Sequence, residues 1–453
     1  MTTTDLRRPS PRGAERPAAV TDVTVWTGSG WRAHTDVLLA GGLVGDLLDH
    51  DPARVWPEEV VSGRGGHLIP GFTNTHTHLQ QSVLRGAGEG RPLLEWLLAI
   101  GEGMVATTPE TAYVATVAGA LEGLLGGTTL LVEHGWSHPD PAIWDAVRRG
   151  LDHVGVRAVL GVGWADRADA TRRWGFEPRL MKPVEEVFDD LTGLMKATAG
   201  SRIAMAVAVA NARTITPDGM ALVRGFADDH GLPVTIHLSE TGTDDAMCRE
   251  HAGVDAVTYL ERGGLLGGHL LAVHGVALSR EAAARLASHG VGLSWNPVSN
   301  MRLGSGVAPV GEWRELGLAV GLGVDGPGSN DRQDMWETLR SGAYVQRAVQ
   351  GRADVLPFAE MIALAVDGAA AVLGRPAARV PGAVEVGRPA DLTLVRFDRD
   401  FGCLPVTDPG ASMLTTGTPR IVDTVLVEGE VVVRDGRSTR IDVGALTEAL
   451  LAL

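Results

Sequence analysis

Between residues 67 and 326, short runs rich in Val, Ile, Leu and Ala alternate with longer amphipathic stretches. The runs cover 67–75, 128–134, 157–164, 203–210, 233–240, 269–275, 290–297 and 319–326. Most are apolar throughout, the pattern of parallel strands covered on both faces. The stretches between them, among them 109–125, 218–230 and 280–289, carry the spacing of helices. Eight such units predict an α/β chain folded as a distorted TIM (β/α)8 barrel, a fold of about 250 residues and more with insertions. A doubly wound open sheet is the alternative topology for the same alternation.

The flanks read differently. Residues 20–26 and 36–40 precede the barrel; 382–386, 391–397, 421–428 and 430–434 follow the helical stretch 358–373. These are short strand-like runs broken by Gly, Asp and Pro. They predict one small β-sandwich domain assembled from both chain ends. The expected organisation is a flexible tail at 1–18, a small β-domain at 19–66 plus 381–440, a catalytic barrel at 67–380 and a C-terminal helix at 441–453. The tail is rich in Arg, Pro, Thr and Ser and lacks the apolar core of a secretory signal.

Composition narrows the partners. A net charge of -15 argues against nucleic acid, whose phosphates need clustered cations. No run of about 18 apolar residues offers a membrane span. Cys248 and Cys403 are the only cysteines, so no disulfide framework exists and a reducing, cytoplasmic setting is expected.

The chemistry lies at the ends of the runs. The first ends in His76 and His78, which lie two apart and so project to one face of an extended strand. The fifth ends in His237 and Glu240, the sixth in His274 and the eighth in Asp325. Singly, each has a bland explanation: a strand-end His is commonly a hydrogen-bonded structural residue, and Asp325 before Gly326 could form a turn. Together they need another, because strand C-terminal ends of a barrel converge on one face. Three imidazoles and a carboxylate suit Zn²⁺ or Fe²⁺. A divalent ion can lower the pKa of water to about 7, and a neighbouring carboxylic acid can then move protons. Gly-x-Gly-x-x-Gly at 321–326 lies late in the chain and is followed by Pro327, so it is not a dinucleotide site.

With these motifs the chain resembles the amidohydrolase superfamily. The matching segments are Pro-Gly-Phe-Thr-Asn-Thr-His-Thr-His at 70–78, His-Leu-Ser-Glu at 237–240, Ala-Val-His-Gly at 272–275, and Asn-Pro-Val-Ser-Asn-Met-Arg-Leu at 296–303. Gly-Leu-Gly-Val-Asp-Gly-Pro-Gly-Ser-Asn at 321–330 and Gly-Arg-Pro-Ala-Asp-Leu at 387–392 complete the set, which spans about 21–437. It is most similar to the mononuclear aminohydrolases: 8-oxoguanine, guanine, methylthioadenosine/adenosylhomocysteine and pterin deaminases, and triazine hydrolases. The resemblance implies that His76, His78, His237 and Asp325 hold one divalent metal ion, Zn²⁺ first and Fe²⁺ as the alternative. It implies that Glu240 shuttles protons, that His274 orients or polarises the attacked atom, and that Asp325 helps activate the water. Binuclear relatives commonly carry a bridging Lys on the fourth strand; the run 203–210 has none.

The implied reaction is hydrolytic deamination of a small amino-substituted nitrogen heterocycle, purine- or pterin-like, by a homo-oligomer (dimer or tetramer). One alternative keeps the site and changes the leaving group, as in triazine dechlorination, alkylamine removal or cyclic amide hydrolysis. Another is an inactive binding scaffold, which would be expected to lose ligands. Substrate contacts are expected from Gln81, which matches a Gln of purine and pterin deaminases, and from Trp96, His134, Arg213 and Trp295. Arg213 and Trp295 depart from the residues common in relatives, and Arg213 could equally pair with a protein carboxylate.

Overall fold

The structure is a computed structural model that describes residues 5–8, 15–56, 58–168, 171–173, 175–373 and 382–453. Five strands come first: β1 (Ala19–Trp26), β2 (Trp31–Ala40), β3 (Leu43–Asp49), β4 (Val60–Ser62) and β5 (His67–Pro70). Eight follow with helices between them: β6 (Phe72–Thr77), β7 (Thr128–His134), β8 (Arg157–Trp164), β9 (Ile203–Asn211), β10 (Val234–Leu238), β11 (Leu270–His274), β12 (Gly292–Trp295) and β13 (Ala319–Leu322). Four close the chain: β14 (Leu392–Val395), β15 (Val422–Val427), β16 (Glu430–Arg434) and β17 (Arg437–Ser438).

Strands β6 to β13 pair in chain order and in parallel, which gives the eight-stranded barrel and excludes the open doubly wound sheet. No ladder joins β13 back to β6. The seam is closed instead by single bonds: Asp325 N–H donates to the His76 carbonyl at 2.9 Å, and Val324 N–H to Asn74 Oδ1 at 3.0 Å. This distortion lies beside the expected ligands. Within the barrel, Leu130, Val132, Val159, Ala206 and Leu271 pack on Val372 and Leu373 of the helix Asp367–Leu373. The interior below the site is therefore packed mainly with apolar side chains, and the expected ligands gather at the C-terminal ends of the strands.

The other strands form one nine-stranded mixed sheet from both chain ends, ordered β17-β16-β15-β14-β5-β1-β2-β3 with β4 on β1. It has its own apolar cluster, including Val20, Val37, Leu68, Leu392 and Leu426. The run 67–75, read as one strand, is two. Gly71 N–H donates to the Asp391 carbonyl and Phe72 N–H to the Gly127 carbonyl, so the chain leaves one sheet for the other between them. In the N-terminal stretch read as a tail, Leu6 is buried in the main core; Asp442 N–H donates to its carbonyl, and Arg8 N–H to Arg440. The C-terminal helix spans Val443–Leu451. The expected boundary at 380/381 lies outside the described residues. Among the described residues, no helix is long and apolar enough to cross a membrane.

Candidate metal centre

At the barrel's C-terminal face, β6, β10 and the turn after β13 bring four side chains together. Asp325 Oδ1 lies 3.3 Å from His76 Nε2 and 3.5 Å from His78 Nε2, and the Nε2 atoms of His78 and His237 are 3.1 Å apart. The ligand atoms of a tetrahedral site with bonds of about 2.0–2.1 Å are separated by about 3.3 Å. His76, His78 and His237 form one metal-competent group, and His76, Asp325 and His274 another that shares His76.

The rings are aimed by the backbone. His78 Nδ1–H donates to the His134 carbonyl at 2.5 Å and His237 Nδ1–H to the Ala210 carbonyl at 2.6 Å. Both bonds fix the proton on Nδ1 and leave the Nε2 lone pair facing the centre. Asp325 accepts from Ser299 Oγ and from Gly326 N–H, both at 2.6 Å. His76 gives the sharpest test of fit. It is fully buried, and neither ring nitrogen makes a directed hydrogen bond. Such a group costs about 1–3 kcal/mol unless something satisfies it; a divalent cation among these donors would satisfy Nε2.

Ionisation agrees with this. Burial pushes the imidazoles of His76, His134 and His237 down, and His78 to about 3, with His76 adding to the effect on His78. Burial thus favours the neutral form that metal ligation requires. Burial works against the Asp325 carboxylate, and His76, His274 and His78 outweigh it, so the group lies well below its ordinary range.

Two proton-handling groups stand beside the cluster. His274 Nε2 lies 3.5 Å from Glu240 Oε2, and Glu240 Oε1 accepts from Ser305 Oγ at 2.9 Å. Burial raises the Glu240 carboxyl, opposed by His274. Leu271 faces the barrel interior, so simple alternation would send His274 outward; its φ of 79° re-aims it. Asp325 takes a φ of 69° and Ser239, before Glu240, one of 50°. Left-handed non-glycine residues of this kind gather where geometry serves a site.

Next to these groups opens a cleft of about 670 Å³, part of it open to solvent. Its walls include Trp96, Trp136, Trp164, Phe176 and Leu303, and its polar lining includes His134, Asn211 and Arg213 besides His78, His237, Glu240, His274 and Asp325. Trp96 presents its ring there while its indole N–H donates to the Gly328 carbonyl. His134 Nδ1 is 2.5 Å from Thr235 Oγ1. Arg213 Nε lies 2.8 Å from Asp244 Oδ1, both side chains buried, so its charge meets a protein carboxylate at the cleft wall.

Two expected substrate contacts are not among the lining residues. Trp295 lies on the outward face of β12, alternating with Ser294, whose Oγ meets Thr75 Oγ1 inside. A Cβ on Gly342 of the helix Met335–Gln350 would fall 2.9 Å from the Trp295 ring, so the indole fills the layer outside the barrel. Gln81 is carried under His78 by the turn Leu79–Val83 and packs against Gly326 and Gly328. The sequence reading assigned nothing to Ser299, Asn300 and Ser305. The first two sit in the 296–303 motif, which gave their position and no role; Ser305 carried no signal at all.

Comparison with known proteins agrees with this geometry. The model of the amidohydrolase family matches residues 67–432. The chain is 28% identical to a 5'-deoxyadenosine deaminase of Methanocaldococcus jannaschii, covering 90% of this chain and 93% of that protein. It is 30% identical to an 8-oxoguanine deaminase of Pseudomonas aeruginosa, covering 94% and 95%. A crystal structure of an adenosine deaminase from Xanthomonas campestris with bound zinc superposes with a TM-score of 0.85 at 26% identity, covering 96% of each chain.

Proposed function

The chain belongs to the amidohydrolase family, and from that premise we propose that it is a metal-dependent hydrolytic deaminase of an amino-substituted purine-type heterocycle. The observation that carries the reading is the pairing of Glu240 and His274 beside the cluster of His76, His78, His237 and Asp325. An inactive scaffold has no use for this set, and every member of it is present. Relatives named as deaminases of 5'-deoxyadenosine and 8-oxoguanine support the purine class. The tryptophan-rich cleft supports a planar ring, which stacks favourably on indole faces.

One divalent ion, zinc by the donor set and by the zinc-bound relative, would be held by His76, His78, His237 and Asp325. When bound, it supplies Lewis acidity and brings water within reach of ionisation near neutral pH. The residues do the rest. Asp325 and His274 orient the attacking water toward the ring carbon that bears the amine. Glu240, kept protonatable by burial, takes a proton from the attacking water and passes it to the adjoining ring nitrogen, then carries the adduct's hydroxyl proton to the departing amine. Ammonia leaves from the tetrahedral adduct. His274 donates from Nε2 to the developing charge. The same reading carries a homo-oligomer in the cytoplasm, which sedimentation and cell fractionation test.

Glu240→Gln keeps the side chain's volume and its acceptor for Ser305 and removes the proton shuttle. It is expected to retain one metal per chain by elemental analysis while ammonia release falls by about 10²–10⁴-fold. Near-normal turnover would remove Glu240 from the mechanism.

A further inference from the structure

The motif at 296–303 follows β12, which supplies no metal ligand and no proton-transfer group. Glu240, His274 and Asp325 come from three other strands, yet each is held by one residue of a single seven-residue segment. Ser299 Oγ donates to Asp325 Oδ2 at 2.6 Å, Asn300 Nδ2 lies 2.9 Å from His274 Nδ1, and Ser305 Oγ donates to Glu240 Oε1 at 2.9 Å. The segment is itself fixed. Ser299 and Asn300 are buried in the helix Pro297–Arg302, and Ser305 N–H donates back to the Asn300 carbonyl.

Each contact settles a chemical choice. His274 Nδ1 faces two amide nitrogens, that of Asn300 and, at 3.4 Å, that of Asn296. Both are donors, so Nδ1 presents its lone pair and the ring proton sits on Nε2, the atom facing Glu240 Oε2. Ser305 occupies Glu240 Oε1 with a donor, which leaves Oε2 as the oxygen that takes and delivers the proton. Ser299 on Oδ2 turns Asp325 Oδ1 toward His76 and His78.

We infer that residues 299–305 are a positioning clamp. Asn300 fixes the His274 tautomer, Ser305 fixes which oxygen of Glu240 carries the proton, and Ser299 fixes the rotation of Asp325. The inference rests on the deaminase reading of the same site, and its primary test does not use turnover. The full chain, loaded with Zn²⁺ and labelled with ¹⁵N-histidine, is compared with Asn300→Asp by NMR, the His274 signals being assigned by their loss in His274→Gln. The wild type is expected to show an unprotonated Nδ1 and a protonated Nε2. Asn300→Asp replaces a donor with an acceptor, so the proton is expected on Nδ1 at unchanged metal content. As independent support, Ser305→Ala is expected to lower kcat roughly tenfold at unchanged KM, on the scale of one hydrogen bond to a charged group, and Ser305→Thr to restore most of it. A His274 that stays unprotonated at Nδ1 in Asn300→Asp, or a fully active Ser305→Ala, overturns the clamp. A chain that deaminates nothing refutes the functional reading, and the His274 tautomer still decides the clamp.

Discussion

Arg213 illustrates how neighbours decide between two readings that the sequence leaves open. Its position after β9 suggested a contact for a polar group of the substrate. Its guanidinium meets Asp244, and Asp244 also accepts the Ser239 N–H at 2.6 Å, just before Glu240. Removing one partner of a buried ion pair leaves the other charge uncompensated, at about 3–5 kcal/mol. Arg213→Ala is therefore expected to lower the urea midpoint by that equivalent. An unchanged midpoint with a raised KM would instead assign the charge to substrate. That His76, His78, His237 and Asp325 meet was readable from sequence because each closes an apolar run, and a barrel gathers run ends. Trp295 was misread because position in a run does not give its face: Ser294 took the inside, and the indole went out.

At the scale of elements, β6 and β7 act as one holder. Glu133, on the outward face of β7, accepts the Leu79 N–H at 2.8 Å, directly after the His78 position, while the next residue's carbonyl aims the His78 ring. Burial pushes the Glu133 carboxyl from 4.5 up to about 8. A raised folded-state pKa adds stability that is complete below the unfolded value of 4.5 and is lost as pH climbs through about 8. Between those limits the native state holds a proton that the unfolded chain releases, so stability falls with rising pH. Glu133→Gln is expected to flatten this part of the profile, read from urea unfolding at pH steps across that window; parallel wild-type and mutant profiles would refute it. Strand order and the barrel were legible from the periodicity. The break at Gly71 was not, because the switch between sheets depends on partners, the carbonyls of Asp391 and Gly127, that no local pattern announces.

The whole molecule joins a barrel with a sheet made from both termini, and the first residues take part. Leu6 has no exposed surface and sits in the same core as Trp144 and Leu446, although composition marked its segment as a tail. One apolar residue among Arg, Pro and Ser carries too little local signal to reveal a docking site formed by residues 440–442. Leu6→Ala is expected to cost about 2–5 kcal/mol in unfolding free energy, as for a buried leucine replaced by alanine; a loss under 1 kcal/mol would show that the segment is free in solution.

The central claim, deamination that depends on a metal at His76, His78, His237 and Asp325, is tested most directly by ammonia release from 8-oxoguanine, guanine, adenosine derivatives, pterins and triazines. The assay is run with the metal-replete chain, after chelation, and after return of Zn²⁺. The account predicts ammonia from at least one purine-type ring, its loss on chelation and its recovery with the ion. Failure to release ammonia from any purine-type ring with metal bound, or release undiminished by removal of the metal, would contradict it.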